Sequence, residues 1–262
     1  MGHRLTAAVL AMAVLLSCAA VTATAAGASP AAPNVQTTAD PVVIVAGTSA
    51  NQPLADVFYS GLAARLRADG YRAYIFGLPG FGLGDIADTS AALDRFADGV
   101  RASTGAARVD LVGHSQGGLV GRYYIKNLGG AGEVDSMISL GAPHYGTAVA
   151  NIAAFLGLGN CLGVTACQQM AAGSSFLAAL NAGDDTIGAV RYTNIVTVFD
   201  ELVVPYTNGY LANDGNNTNV TVQSQCWLRV VGHLGLALDG AVYDGVRDAL
   251  RGEPVRLNCF AL

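Results

Sequence analysis

Residues 113–117 read Gly-His-Ser-Gln-Gly, a G-x-S-x-G pentapeptide with glycines two positions to either side of a serine. A serine hydroxyl is a poor nucleophile until a base takes its proton and a carboxylate orients that base, so the motif directs attention to histidines and acids elsewhere in the chain. Context gives the pentapeptide its meaning. A buried apolar stretch at 109–112 reads as a strand and the segment from Leu119 onward as a helix, so the motif forms a tight strand-to-helix turn that pushes Ser115 out at the carboxyl end of a sheet. Without those flanks it would be an ordinary Gly/Ser turn in a chain with 33 glycines.

Beyond His3 the chain has His114, His144 and His233. His114 adjoins the serine and is expected to point away from it. His144 follows the strand ending at Leu140 and reads as a structural histidine near the site. His233 lies in Val-Val-Gly-His-Leu-Gly, a glycine-bracketed loop between the last strand and the last helix, where the chain order serine, acid, histidine places the base. For the acid, the run 196–201 ends a strand at Asp200. Glu201 is the neighbouring alternative, but adjacent strand-end side chains point opposite ways, so only one of the two is expected to face the site. Asp184, Asp185, Asp214 and Asp239 read as solvated surface charges. A developing oxyanion needs donors: the Gln116 N–H just after the nucleophile, and Thr48 after the first strand, with its N–H and hydroxyl. Each such donor is worth about 3 kcal/mol. The alternative for Thr48 is a plain loop threonine.

The elements that must position these residues follow from apolar patterning. Strands are expected at 41–45, 71–76, 109–112, 134–140, 192–198 and 220–223. Helices are expected at 54–69, from a cap at Asp88 or Thr89 to about 103, at 119–128, and from about 236 to 250. Strand and helix alternate with short connections, the pattern of an α/β fold with a doubly wound parallel sheet. The rhythm breaks over residues 147–190, an insertion at the sheet edge. Within it the stretch 147–158, with Val149, Ile152, Phe155, Leu156 and Leu158 at helical spacing, is expected to line an acyl entrance and meet lipid surfaces, although such spacing more often marks a face packed on the core.

Residues 1–25 carry a charged start (His3, Arg4), a short apolar run and an A-x-A site at 23–25, which together read as a secretory signal peptide. The apolar run is too short for a membrane span. A leader at 26–40, rich in Ala, Pro and Thr, would precede a single domain at 41–262. Cleavage after Ala25 removes Cys18 and leaves Cys161, Cys167, Cys226 and Cys259, an even set suited to two disulfides in an oxidising compartment, with three pairings open. The alternative is a lipoprotein tethered through Cys18. The cysteines lack metal-site spacing.

Composition excludes other classes. With 52% hydrophobic and 13% charged residues and a net charge of −5, the chain is neither a disordered tail nor a basic nucleic-acid binder.

Together these motifs resemble the α/β-hydrolase lipases, more narrowly the group that includes Candida antarctica lipase B and secreted actinomycete-type bacterial lipases. The residues carrying the resemblance are Val45-Ala46-Gly47-Thr48, His114-Ser115-Gln116-Gly117-Gly118, Phe199-Asp200-Glu201-Leu202-Val203 and Gly232-His233-Leu234-Gly235. It spans residue 41 to the C-terminus and implies an α/β-hydrolase fold, with Cys226 paired to Cys259 and Cys161 to Cys167. Two departures stand out: Ala46 occupies the place where many bacterial lipases have a histidine, and the insertion has its own length and cysteine pair. The expectation is a secreted, monomeric serine carboxylester hydrolase acting through an acyl-enzyme on lipid or other apolar esters, with contact to a lipid–water interface compatible with it. Neither a metal nor an organic cofactor is implied. A polyester or cutin-type hydrolase with the same triad, and a non-catalytic secreted binding protein on this fold, are the competing readings.

Overall fold

The computed structural model describes residues 39–148, 151–153, 156–157, 161–212 and 215–262. Residues 1–25, expected to be a signal peptide, residues 26–38 of the expected leader, Val149, Phe155, Leu158 and Asp214 lie outside these residues.

Six strands, β1 (Val42–Val45), β2 (Ala73–Phe76), β3 (Val109–His114), β4 (Val134–Leu140), β5 (Arg191–Val196) and β6 (Asn217–Thr221), form one sheet in the order β2-β1-β3-β4-β5-β6. Every adjacent pair is parallel. The continuous Val-Val-Ile-Val of β1 is fully buried, as a strand covered on both faces must be. The path leaves β1 toward β2 and then returns across β1 to β3. With right-handed crossovers, the helices of these two connections therefore lie on opposite faces. The reversal makes the crevice beyond the carboxyl ends of β1 and β3 the place where such sheets take ligands. Residue 48 follows β1 and residue 115 follows β3, so the topology brings both to that crevice.

The helical segment expected at 54–69 is broken in two, α1 (Gln52–Phe58) and α2 (Ser60–Ala68), at Tyr59. The apolar spacing is continuous, but the break turns the Tyr59 side chain inward, where its hydroxyl reaches Gly47 at 2.8 Å. Helix α3 (Ile86–Thr104) starts earlier than expected: Asp85 caps it by accepting from the Ala87 N–H at 2.7 Å, which leaves Asp88 in the first turn near the positive end of the helix dipole. Helix α4 (Gln116–Asn127) packs on β1, β3 and β4.

At the far edge β6 starts at Asn217, before the expected strand, and Val222–Gln225 turns into helix. Its polar residues hide it from apolar patterning. Asn217 and Asn219 are held through their side chains, both accepting from the buried Asn194 amide at 2.8 and 2.9 Å. The final helix is a separate segment, Gly240–Leu250, after a short 3₁₀ turn at Leu234–Ala237. The disulfides join Cys161 to Cys167 and Cys226 to Cys259 across Cα separations of 5.5 and 5.2 Å.

Two acids read as surface charges are not. Asp239 caps the final helix through the N–H groups of Ala241 and Val242 and pairs with Arg229 at 2.8 Å. Asp185 is 3% exposed and pairs with Arg122 of α4, itself 2% exposed, at 3.1 Å. Local polarity around Asp185 suggested solvent, but the partner lies 63 residues away and appears only on folding. Removing one member of a buried pair strands the other charge, which typically costs about 3–5 kcal/mol. Asp185→Ala should therefore lower the urea midpoint by a corresponding amount with little change in slope. A midpoint equal to that of the parent protein would show that Arg122 is satisfied without it.

Candidate active site

β3 ends at His114 and α4 begins at Gln116, so Ser115 is the whole of the turn between them, with φ 56° and ψ −125°. A non-glycine residue in such a region costs about 1–3 kcal/mol and must be held by its surroundings. The Ser115 N–H donates to the Leu140 carbonyl at 2.9 Å, and the Ser115 carbonyl accepts from Gly118 at 3.0 Å. The glycines make room for the crossing. A Cβ on Gly113 would lie 2.7 Å from the Gly117 backbone, and one on Gly117 would lie 2.3 Å from the Val45 carbonyl oxygen.

His233 and Asp200 are brought together. His233 Nδ1 lies 2.9 Å from both carboxylate oxygens of Asp200, and the two side chains are 1% exposed. Asp200 is itself fixed, accepting from the N–H groups of Leu202 and Val203 at 2.9 and 2.7 Å. The opposite ring nitrogen, His233 Nε2, is buried and has no hydrogen-bond partner among the described residues. It sits in a ring that shares a cavity wall with Ser115.

The expectation that only one of Asp200 and Glu201 faces this site is corrected. Glu201 Oε2 accepts from the His233 backbone N–H at 2.9 Å while Asp200 takes the ring. Strand alternation does not apply because β5 stops at Val196, and the turn that follows lets consecutive side chains converge on different atoms of one residue.

Thr48 and Gln116 also meet. The Thr48 hydroxyl donates to Gln116 Oε1 at 2.7 Å, and Gln116 Nε2 donates to the Gly82 carbonyl at 2.9 Å, so the buried glutamine ties three loops together. The hydroxyl is thereby engaged in this state of the site. The backbone N–H groups of Thr48 and Gln116 have no partner among the described residues, which leaves two donors beside Ser115.

The other histidines are buried and neutral for different reasons. His144 is fully buried with Nε2 3.0 Å from Asn194 Oδ1, and burial, with Arg122 nearby, holds it far below the ordinary imidazole range. His114 is bound through both ring nitrogens, to Tyr59 and to the His233 carbonyl, and packs against His233 with ring centroids 5.2 Å apart.

Two cavities open at Ser115. The larger, about 400 Å³, runs between the β1 loop and the His233 loop and is walled by Leu54, Val57 and Phe58 of α1 together with Leu234. The smaller, about 30 Å³, lies on the other side of Thr48 and is walled by Pro143, Thr147, Ile152, Met170, Leu202 and Val203. Of the insertion's expected entrance residues, Leu156 is half-buried on the core and lines neither cavity, while Ile152 does line the smaller one. Sequence reading missed the α1 wall because its apolar positions looked like core, whereas Leu54 and Val57 are 52% and 74% exposed.

The family model for Lipase (class 2) matches residues 39–234, three quarters of the chain and every element just described around Ser115. The chain belongs to the class 2 lipase family. A triacylglycerol lipase of Burkholderia plantarii is 33% identical over 145 residues, 54% of this chain and 40% of that protein. One of Pseudarthrobacter phenanthrenivorans is 33% identical over 114 residues, 42% of this chain and 35% of that protein. The matched stretch thus spans well under half of either relative. Among solved structures, Aspergillus fumigatus lipase B is similar over 86% of this chain and 56% of its own, with a TM-score of 0.72 at 21% identity. The mature form of Bacillus licheniformis lipase BlEst2 is similar over 77% and 87%, with a TM-score of 0.57 at 20% identity. These two share the α/β-hydrolase fold with this chain.

The Asp200–His233 contact fixes the ring proton on Nδ1, since a carboxylate only accepts. NMR should show that proton far downfield of the amides. It should vanish in Asp200→Asn and persist in Glu201→Gln, whose contact is to the backbone. Loss of the resonance in both variants would mean that Glu201 holds the ring.

Proposed function

We propose that this lipase-family chain is an exported serine hydrolase that cleaves lipid or other apolar carboxylic esters through an acyl-enzyme. The observation that carries the reading is the buried His233 Nε2, without a partner among the described residues, in a ring that lines the same cavity as Ser115 while Nδ1 is held by Asp200. Ser115 attacks the ester carbonyl carbon and His233 Nε2 takes the hydroxyl proton. The N–H groups of Thr48 and Gln116 receive the negative oxygen, aided by the positive end of α4, which begins at Gln116. Asp200 stabilises the imidazolium. The proton then passes to the departing alkoxide, and a water activated by the same nitrogen releases the acid. Glu201 holds the base by its backbone.

The larger cavity supports an apolar substrate: its walls are Leu, Val and Phe, and its volume suits an acyl chain or an apolar alcohol. The smaller one suits a short substituent, with the 147–158 stretch contributing Ile152 to it. Export rests on the 1–25 signal pattern and the two disulfides, with a domain at 41–262 acting as a monomer.

Ser115→Ala and His233→Ala should each lower kcat on a soluble ester by about 10⁴- to 10⁶-fold, and the double variant should be little worse, as for groups that act as a unit. A fluorophosphonate should label the parent on Ser115. Substantial turnover by Ser115→Ala, or labelling elsewhere, would remove the reading. For the pocket, Leu54→Ser with Val57→Ser should lower the ratio of kcat/KM for an octanoate ester to that for an acetate ester by about tenfold, because the longer acyl chain would bury less apolar surface against α1. An unchanged ratio would place the chain in another cleft.

A further inference from the structure

Two buried polar side chains beside the site have no part in the proposed reaction: Tyr59 and His114, 1% and 2% exposed. They form an unbroken hydrogen-bonded chain. The Gly47 N–H donates to Tyr59 Oη at 2.8 Å, Tyr59 Oη lies 2.8 Å from His114 Nδ1, and His114 Nε2 lies 3.1 Å from the His233 carbonyl oxygen. The ends of the chain decide where each proton sits. A backbone N–H can only donate, so Tyr59 accepts from Gly47 and its own proton goes to His114 Nδ1. A carbonyl can only accept, so the single proton of neutral His114 is on Nε2 and goes to His233. Burial holds both groups neutral, the imidazole pushed down to about 3 and the phenol pushed well up.

The chain connects three loops. Gly47 is next to Thr48, His114 is next to Ser115, and the carbonyl it binds belongs to the proposed base. Strand pairing aligns Val45 with Gly113, but it ends there, and the reacting groups lie beyond it. The ring of His114 is wedged between Phe58, with centroids 6.2 Å apart, and His233. We propose that Tyr59 and His114 are positioning residues that lock the oxyanion loop and the loop of the base into one register, an inference that rests on the roles assigned above to Thr48, Ser115 and His233. A neutral imidazole is required there, because His233 becomes positive in each half-reaction and a second cation 5.2 Å away, centroid to centroid, would oppose it.

Tyr59→Phe removes one oxygen and keeps the ring. Competent sites are counted by fluorophosphonate titration, and kcat and KM for a soluble acetate ester are expressed per titrated site. A misplacement of this kind should lower kcat per site by about 10- to 100-fold with KM within about twofold. The Ki of an alkyl boronic acid, whose tetrahedral adduct uses the same donors, should rise by a similar factor. His114→Leu should behave alike, the double variant should be no worse than the poorer single one, and His114→Gln, which retains a donor and an acceptor, should recover most of the loss. A merely structural role would reduce the number of titratable sites and leave kcat per site alone. If Tyr59→Phe and His114→Leu keep kcat per titrated site within twofold while Ser115→Ala is inactive, the positioning role is overturned and the hydrolase reading stands. If Ser115→Ala is active, the hydrolase reading itself fails.

Discussion

The constraint on which the site depends is that a single residue joins β3 to α4. One residue can reverse the chain from strand to helix only with a positive φ, and Ser115 adopts 56° although it has a Cβ. The strain persists because the neighbours leave no alternative: β3 approaches α4 at Gly113, and β1 approaches it at Gly117, so closely that only hydrogen fits at either position. The same crossing puts the first turn of α4 beside the serine, so its free N–H end faces the position where charge would develop. The sheet order adds the loop after β1 alongside.

Three histidines in one small region show how far surroundings decide chemistry. His144 has an amide oxygen as partner and lies close to Arg122, so burial and charge both keep it uncharged. His114 has a phenol on one side and a carbonyl on the other and is likewise neutral. His233 has a carboxylate on one nitrogen, and its other nitrogen is without a partner among the described residues, in a ring that lines the Ser115 cavity. What each ring nitrogen meets thus separates the proposed base from its two histidine neighbours.

The His233 loop is fastened from several directions. Glu201 holds its backbone N–H and His114 its carbonyl. Upstream, Arg229 binds Asp239 and the carbonyls of Cys259 and Ala261, beside the Cys226–Cys259 disulfide. The base proposed at His233 needs this support, because a reaction geometry tolerates displacements of only about 0.5 Å.

Local sequence was sufficient for what depends on neighbours in the chain. The buried strands β1, β3 and β4 announce themselves as apolar runs, and the glycines flanking Ser115 announce the turn, because both are short-range steric and burial requirements. Asp200 and His233 were legible because each follows a recognisable strand or precedes a recognisable helix. Tertiary structure decided what depends on distant partners. Asp185 looked like surface until Arg122 met it, and Glu201 looked misdirected until the turn after β5 brought it to the His233 backbone. Tyr59 lies inside the helix expected at 54–69 with nothing local to single it out, yet its hydroxyl is the link between Gly47 and His114. A sequence pattern records which faces avoid water; which buried donor finds which acceptor is fixed only when remote segments pack together.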